Sequence, residues 1–152
     1  MKRSVVVLVP CALLLTVAIA ALGAPQNEGP RYIDLPGRTD ELPYSHLVVA
    51  GNTVYLSGTI GTDPATGEAH TDVDTEIRQV LDNVKERLEH VGLTMDDLVS
   101  VQVFCPDLSL YDRFNAIYAT YFEENLPARA FVGSGPLLRN GRFEVQGIAV
   151  IR

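Results

Sequence analysis

Histidine and cysteine, the side chains that most often bind metal ions or act as nucleophiles, are few and scattered in this chain. The histidines are His46, His70 and His90, and neither a CxxC nor an HExxH pattern occurs. Zinc sites need more closely spaced ligands than these. Of the two cysteines, Cys11 lies in an apolar N-terminal run, so Cys105 alone remains in the body of the chain. We therefore expect neither a metal site nor an internal disulfide.

The acidic balance of the chain argues against a nucleic-acid partner. The sequence has 12 basic and 19 acidic residues and a formal net charge of −7. Without residues 1–24, which include Lys2 and Arg3 and no acidic residue, 10 basic and 19 acidic residues remain and the charge becomes −9. Such a surface repels phosphate backbones. Nucleic-acid binding is therefore disfavoured, although a local basic pocket could still hold a small anion.

The N-terminus has the organisation of a secretory signal peptide. Two basic residues precede an uncharged apolar run over 4–23, and small residues follow towards its end. This order predicts a signal peptide over 1–24 and an exported protein, periplasmic or secreted. The run is also long enough to approach a membrane span, which leaves an uncleaved anchor as the alternative. The polar, proline-containing stretch 25–30 predicts a flexible spacer, and 31–152 the folded domain.

The first part of the domain is predicted to contain a β-hairpin. The runs HLVVA and TVYLSG are rich in β-forming residues and are separated by Gly51-Asn52. Such a pair suits the two-residue turn of a hairpin. The segment DPATGE then predicts a second turn, because Pro64 restricts φ and Gly67 can adopt φ > 0.

The segment 74–91 has the spacing of an amphipathic helix covering a sheet. Its apolar residues recur every three or four positions: Ile77, Val80, Leu81, Val84, Leu88 and Val91. Its charged residues are expected on the other side: Glu76, Arg78, Asp82, Lys85, Glu86 and Glu89. Asp72 or Asp74 can cap the beginning of the helix and Gly92 its end.

The remaining segments complete an α/β domain. A strand is predicted over 98–104, a helix over 110–122 with Ser109 and Asp112 as its capping pair, and two final strands in RAFVGS and FEVQGIAVI. The predicted order is β-β-α-β-α-β-β, a mixed sheet with both helices on one face. The uncovered face then predicts packing between subunits and a homo-oligomer.

Several of these segments resemble one protein family in both order and spacing. They are PYSHLVVAGNTVYLSGTIGTDPATGE, GLTMDDLVSVQVF, FNAIYATYF, PAR and FEVQGIAV. Together they resemble the RidA (YjgF/YER057c) family over essentially the whole of 31–152. The resemblance implies a chorismate-mutase-like fold, a homotrimer and ligand sites in the clefts between subunits. It also implies hydrolysis of small enamines and imines such as 2-aminoacrylate to 2-keto acids and ammonia, without metal or organic cofactor.

The same resemblance identifies candidate site residues. Arg129, in PAR, corresponds to the arginine that binds the substrate carboxylate, a task suited to the planar fork of a guanidinium. Tyr44 corresponds to a tyrosine that lines the cleft, where its phenol can bond the imine nitrogen or a water. Ser57 and Gly58 correspond to a strand end beside the ligand, where glycine permits close backbone approach. Asn115 corresponds to a helix asparagine with a structural role.

Two positions depart from the family pattern. Active deaminases commonly have EIEAIA near the end, and Gln146 stands where the second glutamate would position the attacking water. Glutamine can hold water but cannot accept its proton, and loss of a general base removes on the order of 10²–10⁴ in rate. Glu144 lies two residues earlier on the same strand face and is the alternative base. Phe131 stands where many members have cysteine and makes the pocket bulkier.

These departures leave more than one function open. The first hypothesis is an exported deaminase of small carboxylated imines. The second is a non-catalytic binder of small carboxylates such as 2-keto acids on the same trimer, with Arg129 as anchor and Gln146 as a hydrogen-bonding wall. A structural trimer without ligand is the third. The physiological substrate is not specified by the sequence.

Overall fold

The computed structural model describes residues 29–38 and 41–152 as a six-stranded mixed sheet with two helices. The strands are β1 (Arg31–Ile33), β2 (Leu47–Ala50), β3 (Thr53–Ile60), β4 (Leu98–Cys105), β5 (Ala128–Gly133) and β6 (Glu144–Val150). The helices are α1 (Val73–His90) and α2 (Tyr111–Tyr118). The predicted signal peptide and most of the spacer lie outside the described residues. Within the described ranges, neither helix has the length and apolar character needed to cross a membrane.

The spatial order of the strands is β1-β2-β3-β6-β4-β5. Neighbouring strands are antiparallel except β4 and β5, which α2 connects in parallel. The predicted α/β class and mixed sheet are confirmed, but the predicted count of five strands is wrong. Strand β1 was not predicted, and it pairs antiparallel with β2 at the edge of the sheet. Three residues are too few to show the alternation that marks a strand.

The predicted hairpin and both turns are confirmed. Ala50 pairs with Thr53 across a two-residue turn in which Gly51 has φ 61°. Gly67 has φ 72° in the following turn. These left-handed conformations favour glycine, which has no Cβ to clash with the backbone.

Helix α1 lies within one residue of its predicted bounds. The carboxylate of Asp72 accepts a hydrogen bond from the Thr75 backbone N–H at 2.8 Å and caps the helix. The prediction that Glu76 lies on the exposed side is wrong, because its side chain is fully buried. It accepts a hydrogen bond from the Arg142 backbone N–H at 2.6 Å and forms an ion pair with the Arg142 guanidinium.

Helix α2 is shorter than predicted and begins differently. It ends at Tyr118 and continues as a 3-10 turn, Ala119–Tyr121. The predicted capping pair is wrong, because Asp107 supplies the cap. Its carboxylate accepts from the Ser109 backbone N–H at 3.0 Å, at the start of a 3-10 turn that leads directly into α2.

Both helices pack on one face of the sheet, as predicted. The core lies between the helices and the sheet. Its largest fully buried side chains include Phe114 of α2, Phe143 before β6, and Ile77 and Leu81 of α1. Cys105 is buried there with a free thiol. The opposite face has no covering element among the described residues. Along each strand, the side chains of this face alternate with those that point into the core. The apolar ones are Tyr55, Phe104, Ile148 and Val150, and the polar ones include Ser100, Gln102 and Gln146.

Candidate active site

A β-bulge in β3 opens the sheet beside the predicted ligand position. The pairing of β3 with β6 shifts register between Leu56 and Thr59, so Ser57 and Gly58 leave the regular ladder. The Ser57 backbone N–H and hydroxyl both donate to the His46 carbonyl, at 3.1 and 3.2 Å. Bulges of this kind redirect chains next to functional sites. Here the bulge lies within β3, next to the segment that carries Tyr44.

Glu144 reaches this bulge from the neighbouring strand. It lies opposite Ile60 in the β3–β6 pairing, and its carboxylate fills the space beside Gly58, where a Cβ would lie 2.0 Å from Glu144 Oε1. Only glycine at position 58 leaves room for this carboxylate. Among the described residues, Glu144 forms neither a hydrogen bond nor an ion pair. Its oxygens are therefore available to a ligand or a water.

Tyr44 is held at the cleft by a small polar network. The Arg38 guanidinium donates to the Tyr44 carbonyl at 2.7 Å and lies 5.1 Å from the centroid of its ring. Asp34 forms an ion pair with Arg38 and accepts a hydrogen bond from the His46 backbone N–H at 3.1 Å. That backbone bond is the main reason why the pKa of Asp34 lies below its ordinary value. The Tyr44 side chain remains 45% exposed, so its phenol can meet a ligand.

These residues line one cleft of about 430 Å³ at the ends of β3 and β6. Four of the seven residues predicted for the site meet there: Tyr44, Ser57, Gly58 and Glu144. The cleft offers a phenol, a hydroxyl and an unpaired carboxylate beside exposed backbone. This combination can orient a small polar molecule and accept a proton from water.

Arg129 and Phe131 lie on the helix-covered face of the sheet, opposite to the face of Glu144 and close to α2. They pair with Val101 and Val103 of β4, whose side chains point into the core. The Arg129 guanidinium donates from Nη2 to Asn115 Oδ1 at 2.5 Å. Phe131 makes an edge-to-face contact with Tyr111, with the two ring centroids 5.1 Å apart. Asn115 therefore orients the predicted carboxylate anchor, in line with the structural role expected for it.

Tyr118 forms the floor beneath Arg129. The guanidinium carbon lies 4.5 Å from the centroid of the Tyr118 ring, a cation–π geometry. Burial raises the pKa of Tyr118 to about 12, so the phenol is neutral at physiological pH. Its hydroxyl has no hydrogen-bond partner among the described residues. Tyr118 thus supports Arg129 through its ring face.

Gln146 occupies a third position, away from the cleft. Its Nε2 donates to Gln102 Oε1 at 2.6 Å on the uncovered face, beside a cavity of about 280 Å³. Within one protomer, Gln146 and Arg129 lie on opposite faces of the sheet. Glu144 and Gln146 do share a face, as predicted. Glu144 alone, at the beginning of β6, lines the cleft at the bulge.

Two residues of α1 that line the cleft were not predicted as site residues: Asn83 and Arg87. Asn83 donates to the Ile60 carbonyl at 3.0 Å, and Arg87 donates from Nη1 to the Ser57 carbonyl at 2.7 Å. Burial lowers the pKa of Arg87 from its ordinary value. The helical spacing could have shown that Arg87 faces the sheet. Arg87 follows Val84 by three residues and Val80 by seven, so all three lie on the same side of α1. Within 29–38 and 41–152, no group of three or more His, Cys, Asp or Glu side chains is placed to hold a metal ion.

This chain is similar to known proteins in both sequence and fold. The family model described as Endoribonuclease L-PSP matches residues 39–151. A 2-iminobutanoate/2-iminopropanoate deaminase of Escherichia coli is 40% identical over 113 residues, covering 72% of this chain and 88% of that protein. The crystal structure of the Escherichia coli YjgF gene product has a TM-score of 0.73 at 36% identity, covering 80% of this chain and 99% of that one. Escherichia coli TdcF, solved with bound serine, has a TM-score of 0.72 at 32% identity, with coverage of 80% and 99%. The match to the family model and to these relatives confirms the resemblance inferred from the sequence, and the chain belongs to the RidA (YjgF) family.

Proposed function

We propose that this protein hydrolyses small 2-imino acids and their enamine tautomers to 2-keto acids and ammonia. The observation that carries the proposal is the unpaired carboxylate of Glu144 in the same cleft as Tyr44 and the Ser57–Gly58 bulge. A carboxylate in this setting can take a proton from a bound water. The relative named 2-iminobutanoate/2-iminopropanoate deaminase supports the same reaction class.

The complete site forms between two protomers of a homotrimer. Within one protomer, Glu144 and Arg129 lie on opposite faces of the sheet, so one molecule of substrate cannot contact both side chains of the same chain. Strand β5, which carries Arg129, is the last strand of the sheet, and the face bearing Glu144 has no covering element among the described residues. A neighbouring protomer in a closed ring can therefore present its Arg129 to this cleft.

The reaction follows from the positions of these groups. Arg129 of the neighbouring protomer binds the substrate carboxylate with two parallel hydrogen bonds, and Tyr44 bonds the imine nitrogen. Glu144 accepts a proton from water while the water oxygen bonds to the carbon of the protonated imine and the C=N π electrons pass to nitrogen, giving a neutral tetrahedral carbinolamine. Glu144 then passes this proton to the nitrogen. The C–N bond breaks as the carbinol hydroxyl gives its proton back to Glu144, so that ammonia leaves and the carbinol oxygen becomes the keto oxygen. Each step is proton transfer or addition and elimination, so no redox cofactor is consumed.

The position of Glu144 bears on the alternative of a non-catalytic binder. That alternative depended on Gln146 replacing the general base. Because Gln146 bonds Gln102 outside the cleft while Glu144 lies inside it, a base remains available. A ribonuclease activity, which the name of the family model suggests, fits the net charge of −7 poorly, since RNA binding depends on neutralising phosphates. Export remains part of the proposal on the strength of the N-terminal sequence.

The proposal is tested by generating 2-aminoacrylate in solution with a dehydratase and recording the decay of the imine absorbance. The purified protein should accelerate the decay, and the Glu144→Gln variant at equal concentration should not. If the wild-type protein gives no acceleration but binds 2-keto acids, the binder replaces the enzyme.

A further inference from the structure

Arg87 is a buried cation that faces the cleft. Its side chain comes from α1, and the residue is only 7% exposed. Its hydrogen bonds to described residues all originate from Nη1: to the Ser57 carbonyl at 2.7 Å, to the Ser57 hydroxyl at 3.1 Å and, less closely, to the Gly58 carbonyl at 3.5 Å. A guanidinium carries five N–H donors. Most of its donor capacity is therefore not used by these bonds.

Arg87 lines the cleft, and two of its three guanidinium nitrogens form no hydrogen bond with the described residues. Neither Nε nor Nη2 of Arg87 has an acceptor in the described part of the chain, and neither is sealed from solvent. Arg87 also forms no ion pair with any described residue. A buried charge without a counter-ion is costly, and proteins usually pair it or use it to bind an ion. The bonds to Ser57 alone leave the charge of this guanidinium uncompensated.

The charges that line the cleft leave room for a further anion. Arg87 and Arg139 contribute two positive charges and Glu144 one negative charge. When the base is ionised, the cleft is therefore cationic by one charge. A volume of about 430 Å³ is more than a three-carbon imine needs. An acidic group on the substrate would fill this space and neutralise the excess charge.

We infer that Arg87 binds a second carboxylate, on the side chain of the substrate, and that the preferred substrates are dicarboxylic 2-imino acids. This inference rests on the proposed function. There, the first carboxylate lies on Arg129 of the neighbouring protomer and the imine carbon faces Glu144. The side chain of the substrate then extends past Gly58 towards the free Nε and Nη2 of Arg87.

The test compares two ligands of equal carbon number, 2-oxoglutarate and 2-oxopentanoate, which differ in the second carboxylate. Calorimetric titration of the wild-type protein should show at least about tenfold tighter binding of 2-oxoglutarate, the range of a charge-assisted hydrogen bond. Arg87→Met, which removes the charge at similar length, should bring the ratio of the two affinities close to one. Arg78→Met is the matched control, because Arg78 lies on the same helix but is exposed and outside the cleft; its ratio should equal that of the wild type.

Arg87→Gln serves if the methionine variant does not fold, because an amide can still donate to the Ser57 carbonyl while the charge is lost. Equal wild-type affinities for the two ligands, or a ratio that persists in a folded Arg87 variant, would overturn the inference. The kcat/KM values for the imines formed from glutamate and norvaline by an amino acid oxidase should show the same ratio. A preference in binding without any imine turnover would instead contradict the proposed function and leave the role of Arg87 standing. Turnover of both imines with equal kcat/KM would support the proposed function and contradict the role of Arg87.

Discussion

The carboxylate of Glu144 lies against the bare Cα of Gly58, so close that a Cβ on residue 58 would be 2.0 Å from Glu144 Oε1. A contrasting glycine directly follows the end of β3. A Cβ on Gly61 would lie 2.3 Å from the backbone carbonyl of Glu76, in α1. A flexible carboxylate can rotate away from such a contact, whereas the backbone of a packed helix cannot. The two glycines therefore have different roles, one in the site and one in the packing of α1 on the sheet.

Substituting these glycines should separate activity from stability. Gly58→Ala should displace the Glu144 carboxylate and lower kcat/KM for imine hydrolysis by about tenfold or more, because catalysis is sensitive to small misplacements. Its melting temperature should change little. Gly61→Ala should instead lower the free energy of unfolding by about 1–3 kcal/mol, the cost of overpacking. Thermal unfolding and steady-state kinetics on both variants check this, and a Gly58→Ala protein with full activity would contradict the placement of Glu144.

Glu144 and Gln146 should differ sharply in their effect on catalysis. Glu144→Gln keeps the size of the side chain but removes the proton acceptor, so kcat should fall on the order of 10²–10⁴-fold. Gln146→Glu should change kcat little, because the side chain at position 146 bonds Gln102 outside the cleft. The measurement is decay of in situ 2-aminoacrylate. A large gain from Gln146→Glu would show that the attacking water lies at position 146 instead.

Arg129 should contribute to both ligand binding and stability. Arg129→Lys keeps the charge but loses the fork, so the affinity for a 2-keto acid should fall by roughly 1.5–3 kcal/mol. The bond to Asn115 and the contact with the Tyr118 ring add a structural role, and Arg129→Ala should lower the free energy of unfolding by about 1 kcal/mol or more. Calorimetric titration and urea unfolding test the two parts, with the exposed Arg113→Lys as control; unchanged affinity in Arg129→Ala would show that the anchor is elsewhere.

The buried ion pair between Glu76 and Arg142 should contribute strongly to stability. Glu76 is fully buried, and the substitution Glu76→Gln would leave the Arg142 guanidinium without its anionic partner. The free energy of unfolding in urea, at fixed protein concentration, should fall by about 3 kcal/mol. Glu89→Gln, which alters the exposed pair with Lys85, should cost less than about 1 kcal/mol. Equal losses in the two variants would contradict this account of the buried pair.

Features set by local sequence could be predicted, whereas those set by distant parts of the chain could not. The hairpin at Gly51 and the cap at Asp72 depend on a few adjacent residues, and both predictions are confirmed. Glu76 was assigned to the solvent because its buried partner, Arg142, lies 66 residues away. Strand β1 was missed for a similar reason, since its pairing with β2 stabilises it and its own three residues carry no pattern.

The candidate site shows the same division. Alternation along β6 correctly places Glu144 and Gln146 on one face, but it cannot tell which of them meets the cleft. That depends on the bulge at Ser57 and Gly58, which is a property of the pairing between β3 and β6. The face on which Arg129 lies depends on the parallel register of β5 with β4. Neither register can be read from one strand alone.

The central claim is that Glu144 of one protomer and Arg129 of its neighbour act on the same substrate. Arg129→Ala and Glu144→Gln should each be inactive. The two purified variants can be mixed in equal amounts, unfolded together and refolded. Random assembly of a trimer then joins an intact Glu144 to an intact neighbouring Arg129 in about a quarter of the clefts.

The mixture should therefore regain about a quarter of the wild-type rate of imine hydrolysis, while each variant refolded alone stays inactive. Light scattering on the same samples should show trimers at micromolar concentration. Recovery of activity on mixing is the result expected for a shared site. A mixture of correctly assembled trimers that stays as inactive as its components would contradict it, because it would mean that both side chains must come from the same chain.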